Sequence, residues 1–202
     1  MKKFLLLLLP LSIIILAGCG IASREIAQRS VSESVDVFHE VRDGDITQEG
    51  FVDLVVMAQI KTPLEGRYLL ESKKSPHGKP TYTFLFNVDG QAVTWDVRGQ
   101  KEGDNDFELC MMNHDCGEGM RYVLEKKVRL KEGAHKIFFA LPGDNYRTEF
   151  EITLKRNEPN NLECKPVYRN QKYFRGIVRF DVFINNTQVP QETGGRRPLL
   201  DW

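Results

Sequence analysis

The chain has 202 residues, of which 41% are hydrophobic and 10% aromatic, enough apolar surface for one domain with a real core. Lys plus Arg and Asp plus Glu both number 28, so no net field draws the whole molecule to nucleic acid or to an acidic membrane surface, and nucleic acid is left out of the expected partners.

Lys2 and Lys3 make a short basic start, and Phe4 to Leu16 is apolar apart from Pro10 and Ser12. Crossing a bilayer takes roughly 20 apolar residues, so this run is too short for a span and has the length of a secretory h-region. Residues 1–18 are therefore expected to be a signal peptide that is removed. Leu16-Ala17-Gly18-Cys19 resembles the lipobox of bacterial lipoproteins. That resemblance implies a diacylglycerol on the Cys19 thiol, cleavage just before it and acylation of the new amino end, with no other cofactor. Several acyl chains anchor stably where one alone is marginal. Residue 20 is Gly, not the Asp that in many Gram-negative lipoproteins signals inner-membrane retention. The resemblance therefore implies the outer membrane, on its periplasmic or surface face, if the source is Gram-negative.

Residues 19–50, the lipidated Cys and the polar, Ser-rich stretch after it, are expected to form a tether. Val35, Val37, Val41 and Phe38 leave a short strand or helical turn open within it. From Phe51 to residue 189 the segments are short, β-branched and aromatic, with Gly, Asp, Asn and Pro between them. Residues 51–60 and 67–72 read as the first two strands. TYTFLFNV-DG-QAVTWDV is the clearest hairpin, because Asp89-Gly90 suits the positive φ angles of a type I′ turn. A two-residue loop pairs Phe86 with Val93, Phe84 with Trp95 and Tyr82 with Val97, all on one face. Further strands are expected at 121–130, 135–141, 150–155 and 176–184, mostly alternating apolar with charged residues. The tail 190–202, with two Pro, paired Gly and paired Arg, is expected to be flexible. The fold class is all-β, an antiparallel immunoglobulin-like sandwich of about eight strands. VRLKEGAHKIFFALPGDNYRTEFEITL (128–154) resembles PEGA-type and carboxypeptidase-regulatory-like β domains of bacterial envelope proteins, although the four-residue name motif is missing. More broadly, the mature chain is similar to uncharacterised envelope lipoproteins, a likeness that implies location and fold and no activity.

The densest chemistry lies in Cys110-Met111-Met112-Asn113-His114-Asp115-Cys116. Two thiols, two thioethers and an imidazole are the ligand set a soft metal such as Cu(I) takes, with Cys110, His114 and Cys116 as three ligands and Met111 or Met112 as a fourth. In an oxidising compartment a Cys110–Cys116 disulfide comes ahead of the metal, since the spacing is not a zinc pattern. Cys164 reads as a buried hydrophobe or as an alternative partner of Cys110 or Cys116. His135 reads as a turn residue, and His39 and His77 sit in polar surroundings. Glu102 to Asp106 resembles a Ca²⁺ loop only in composition and reads as a solvated connection. No G-x-S-x-G, H-E-x-x-H or phosphate loop occurs.

The expectation is a membrane-anchored, non-catalytic β module that binds or supports another envelope protein; nothing in the pattern sets its oligomeric state. The first rival is metal handling or redox chemistry at Cys110, Met111, Met112, His114 and Cys116. The second is carbohydrate binding on Tyr68, Tyr146, Tyr168 and Tyr173.

Overall fold

A computed structural model describes residues 18–42, 45, 47–67, 72–73, 75–102, 118–171 and 174–193. In chain order these form helix α1 (Gly18–Arg29) and strands β1 (Phe38–Glu40), β2 (Phe51–Thr62), β3 (Thr81–Val88), β4 (Gln91–Glu102), β5 (Gly119–Lys131), β6 (Gly133–Leu141), β7 (Tyr146–Leu154), β8 (Asn161–Gln171), β9 (Phe174–Ile184), β10 (Thr187–Gln188) and β11 (Glu192–Thr193). A single 3₁₀ turn, Pro142–Asp144, joins β6 to β7 among the described residues.

The strands make one 11-stranded sheet in the order β10-β9-β8-β2-β5-β4-β3-β6-β7-β11, with β1 added to β5. The protein is mostly β, as expected, but the sheet is a curled, mixed half-barrel where an antiparallel sandwich was expected. The parallel pair is β2 with β8, registered Val55 to Asn161 through Ala58 to Cys164. Strand β8 was missed in the sequence because Pro166 interrupts it. Its position explains the tolerance: the Phe180 N–H points away from β8 to Tyr146, so Pro166 and Phe180 face each other without exchanging bonds. The missing N–H then lies on the β2 side, where pairing has already ended at Cys164.

The Asp89-Gly90 hairpin forms in the expected register, Phe86 opposite Val93, Phe84 opposite Trp95 and Tyr82 opposite Val97. Both turn residues have positive φ, 48° and 91°. Beyond the hairpin β4 leaves β3 and pairs with β5 from Gly99 to Glu102. Gly99 permits that crossing, since a Cβ there would lie 2.6 Å from Met120 Cγ and 2.7 Å from a Tyr122 ring carbon. The expected strand 67–72 lies mostly outside the described residues; Arg67 and Ser72 at its ends are not in strands.

The concave side of the sheet holds the core. Phe84 of β3 packs on Phe139 of β6 with ring centroids 6.1 Å apart, and Phe139 meets Phe180 of β9 edge-on at 5.4 Å, linking the two halves across the interior. Tyr146 of β7 then packs on Phe180 at 5.1 Å and its hydroxyl accepts the Phe180 backbone N–H at 2.8 Å. Burial pushes the Tyr146 phenol up to about 12, so it stays a neutral hydrogen-bonding group. The two ends of the curled sheet therefore meet through one tyrosine. The 187–193 segment crosses the same gap, pairing with β9 through β10 and with β7 through β11 while Val189 is buried between them. Residues 190–193, expected to belong to a flexible tail, are thus part of the closure; 194–202 lie outside the described residues.

Residues 19–50 also differ from the expected tether. Helix α1 lies on the convex side of the sheet, where Ile26 joins Leu85, Phe138 and Ala140 in a second apolar cluster. Strand β1 pairs Phe38 with Leu130, and the Gln91 side chain clamps it by accepting from Val37 and Phe38 N–H and donating to the Phe38 carbonyl.

Candidate functional site

Strand directions sort the molecule into two ends. One end, here called proximal, gathers the C-terminal ends of β2, β4, β6 and β8 and the starts of β3, β5, β7 and β9. The other, distal end is built from tight turns: Asp89-Gly90, Glu132-Gly133 and Asn185-Asn186. The first turn of α1 lies at the proximal end, because Ser23 Oγ donates to Asn145 Oδ1 at 2.9 Å and Asn145 closes the β6–β7 turn.

Cys19 therefore stands in the first turn of a docked helix. Beyond the Ser23 contact, Glu25 pairs with Arg147, Arg29 pairs with Glu149 at 3.2 Å, and the Arg29 carbonyl accepts from Asn87 Nδ2 at 2.8 Å. The Arg29 guanidinium also lies over the Phe138 ring at 5.8 Å. Ala, Glu, Arg and Gln in IASREIAQR are good helix formers, and Arg29 in the last turn suits the helix dipole. That propensity was the signal available in the sequence; among the described side chains of the helix only Ile26 is buried and apolar, so no periodic stripe reinforces it there.

Two polar networks close the proximal end. In the first, Glu102 receives Arg121 through two nitrogens and Lys61 Nζ at 3.0 Å. The Arg121 guanidinium, helped by Lys61, holds the Glu102 carboxyl below its ordinary range against the opposing effect of burial. Lys61 is itself buried, and its backbone N–H donates to the Tyr168 hydroxyl at 2.7 Å. In the second, Asp144 bridges two side chains, with His77 Nε2 2.8 Å from Oδ1 and the Tyr82 hydroxyl donating to Oδ2. Burial, with the Asp144 charge beside it, raises the Tyr82 phenol well above its ordinary value. The Tyr82 and Tyr122 rings pack at 5.1 Å, and the Tyr122 hydroxyl donates to the Lys79 carbonyl at 2.6 Å.

Gly78 makes the second network possible. It has φ +68°, and a Cβ would lie 2.1 Å from the Glu65 nitrogen; its N–H donates to Thr62 Oγ1 at 3.0 Å. An imidazole on a carboxylate is an arrangement that orients a proton-transfer group. Here the second oxygen of Asp144 is taken by a buried tyrosine, so the triad ties the chain around His77, the 3₁₀ turn and β3 into one lid over the core. Sequence reasoning placed His77 in polar surroundings and missed Asp144 and Tyr82 as its network, which only the fold brings together across 67 and 62 residues of chain.

The remaining expected residues separate. Cys110, Met111, Met112, His114 and Cys116 lie outside the described residues, as do Tyr68, Tyr173 and residues 103–106 of the acidic stretch. The chain departs for that segment at Glu102 and returns at Gly119, which are paired neighbours at the proximal end. Cys164 is a free thiol on the core side of β8 and is fully buried; desolvation pushes its pKa up, which makes it unreactive. Tyr146 is buried in the closure and offers no platform to a sugar. His135, expected in the turn, lies inside β6 opposite Ile152; its Nδ1 lies 2.7 Å from Asp89 Oδ2 and its Nε2 donates to the Lys131 carbonyl at 2.8 Å, joining two distal turns. His39 is exposed on β1. Among the described residues no group of three or more His, Cys, Asp or Glu is placed to hold a metal, and no helix is long and apolar enough to cross a membrane. No family model, curated protein or solved structure matches the chain.

Proposed function

We propose that this protein is a bacterial envelope lipoprotein, anchored by acyl chains on Cys19, whose β body acts as a non-catalytic binding or structural module for another envelope protein. The observation that carries the reading is the sequence Leu16-Ala17-Gly18-Cys19, whose Cys19 lies in the first turn of α1, so that on this reading a lipidated residue leads straight into a docked element. In fold terms we read the half-barrel as a sandwich-like body whose two layers share β4. Gly20 favours an outer-membrane destination in a Gram-negative host.

Metabolic labelling with radioactive palmitate tests the anchor. The full chain is expected to take up label and sediment with membranes, while Cys19→Ser loses the label and retains the uncut leader. Label surviving in Cys19→Ser, or absent from the parent chain, overturns the reading. Crosslinking of the labelled protein in intact envelopes is expected to capture one reproducible envelope protein; its absence counts against the binding role.

A further inference from the structure

We infer that the proximal end is a membrane-docking surface, held flat against anionic lipid headgroups by the anchor. The inference rests on the lipoprotein reading above and adds an orientation and a second ligand to it.

The lever between anchor and body is short. A polar tether of about thirty residues would let the body roam about 30 Å from its anchor. Instead the chain is fastened from Ser23 onward by hydrogen bonds, ion pairs and the buried Ile26. One helical turn separates Cys19 from Ser23, about 6 Å at 1.5 Å per residue. With acyl chains in the bilayer, that distance keeps the proximal end within reach of the headgroups.

The direction of the helix sets which way the body stands. The contacts of α1 advance from Asn145 through Arg147 to Glu149 as the helix runs from Ser23 to Arg29, so α1 and β7 point the same way. The strands therefore stand away from the membrane, and the distal turns are carried farthest from it.

Charge distinguishes the two ends. Arg24, Lys73, Arg98 and Lys101 are exposed and form no ion pair with any described residue. Among the described residues of the same end, Glu102 is occupied by Lys61 and Arg121, Glu118 by Arg67, and Glu65 by Lys79. Asp96, farther along β4, accepts from Thr83 at 2.6 Å. The distal end carries unpaired ions of both signs, Glu33, Asp36 and Glu132 with Arg42 and Lys131, among the described residues. Unpaired cations facing an anionic surface are drawn to it within a Debye length, and those of the distal end have no such bias.

Hydrogen exchange on the full lipidated protein tests the orientation. The protein is compared in detergent, in phosphatidylcholine vesicles and in phosphatidylcholine vesicles containing phosphatidylglycerol. Exchange is expected to slow at 62–67, 75–80, 98–102 and 118–121 in vesicles, more with phosphatidylglycerol, and the phosphatidylglycerol-dependent part is expected to disappear at high salt. The turns at 89–90, 132–133 and 185–186 are expected to exchange alike in all three. The double variant Arg98→Glu with Lys101→Glu, its melting curve checked against the parent, is expected to lose the phosphatidylglycerol-dependent part. Uniform exchange across conditions, protection confined to the distal turns, or a double variant that responds as the parent does overturns the proposal. Intact mass separates the two readings. An unacylated protein refutes the lipoprotein reading, whereas an acylated protein without proximal protection refutes only the docking.

Discussion

The two halves of the curled sheet solve the same problem in opposite ways. In β3 and β6 the runs Phe84–Val88 and Ile137–Leu141 are buried on both faces, and the convex side is covered by α1 through Ile26, Leu85, Phe138 and Ala140. In β2 and β5 the convex side is open: Val123 is 51% exposed, and Glu125 and Lys127 stand beside it. There the sheet is fastened by Arg129, 4% exposed, whose guanidinium takes both oxygens of Asp53 at 2.6 and 3.1 Å and donates to Thr47 at 2.9 Å. A continuous apolar run demands a cover, while an alternating strand leaves its outer face to charge. The cover here comes from the segment that precedes the sheet and carries the candidate anchor.

The largest effect that separates the halves should come from Leu85→Ala, which empties a fully buried site under the helix. It is expected to cost about 3 kcal/mol in a urea titration, with an unchanged slope. A cost as small as that of a surface change would mean that the helix does not cover this half.

Ile26→Ala should come next at about 2 kcal/mol, since it removes the helix's buried contact without touching the sheet. Faster hydrogen exchange in β3 and β6, with β2 and β5 unaltered, is the expected signature.

Asp53→Asn, on the open half, is expected to cost about 2 kcal/mol at neutral pH, less than a fully buried pair because Asp53 is partly wet. The Arg129 guanidinium, with Lys127, holds the Asp53 carboxyl below its ordinary value of 3.8 against the opposing effect of burial. Its contribution is therefore complete above the unfolded carboxylate range, about pH 4, and is lost as pH falls through the lower folded value. Acid titration of stability should show a smaller drop below about pH 4 in Asp53→Asn than in the parent. Identical acid limbs would assign the drop to other carboxylates, Glu102 first, whose pKa is lowered by Arg121 in the same sense.

Val123→Lys, on the open face, should change stability by no more than about 0.5 kcal/mol. A loss comparable to Leu85→Ala would mean that this face is covered in solution, and sedimentation would then be expected to reveal a partner or a second copy.

Much of the sheet was legible because its signals are local. Alternation located β5, β7 and β9 within a few residues, β-branched and aromatic runs between turn residues located β2 and β6, and Asp89-Gly90 settled both the turn and the register of Phe84 against Trp95. The run at 137–141 also announced burial on both faces, although nothing near it in sequence named the cover. The candidate site was less legible: Asp144 sits in a Pro-Gly-Asp turn that reads as punctuation, and its meeting with His77 and Tyr82 depends on where three distant segments end.

The sequence by itself determined β2 to β7, β9 and the hairpin register, since each depends on side-chain period or turn chemistry over a few neighbouring residues. Only the tertiary structure decided that β8 enters parallel beside β2 despite Pro166, that Tyr146 and residues 187–193 close the gap to β9, and that the expected tether folds back as α1. Those outcomes are set by which apolar faces and unpaired backbone groups are left uncovered once the local elements exist, a balance made between segments far apart in the chain.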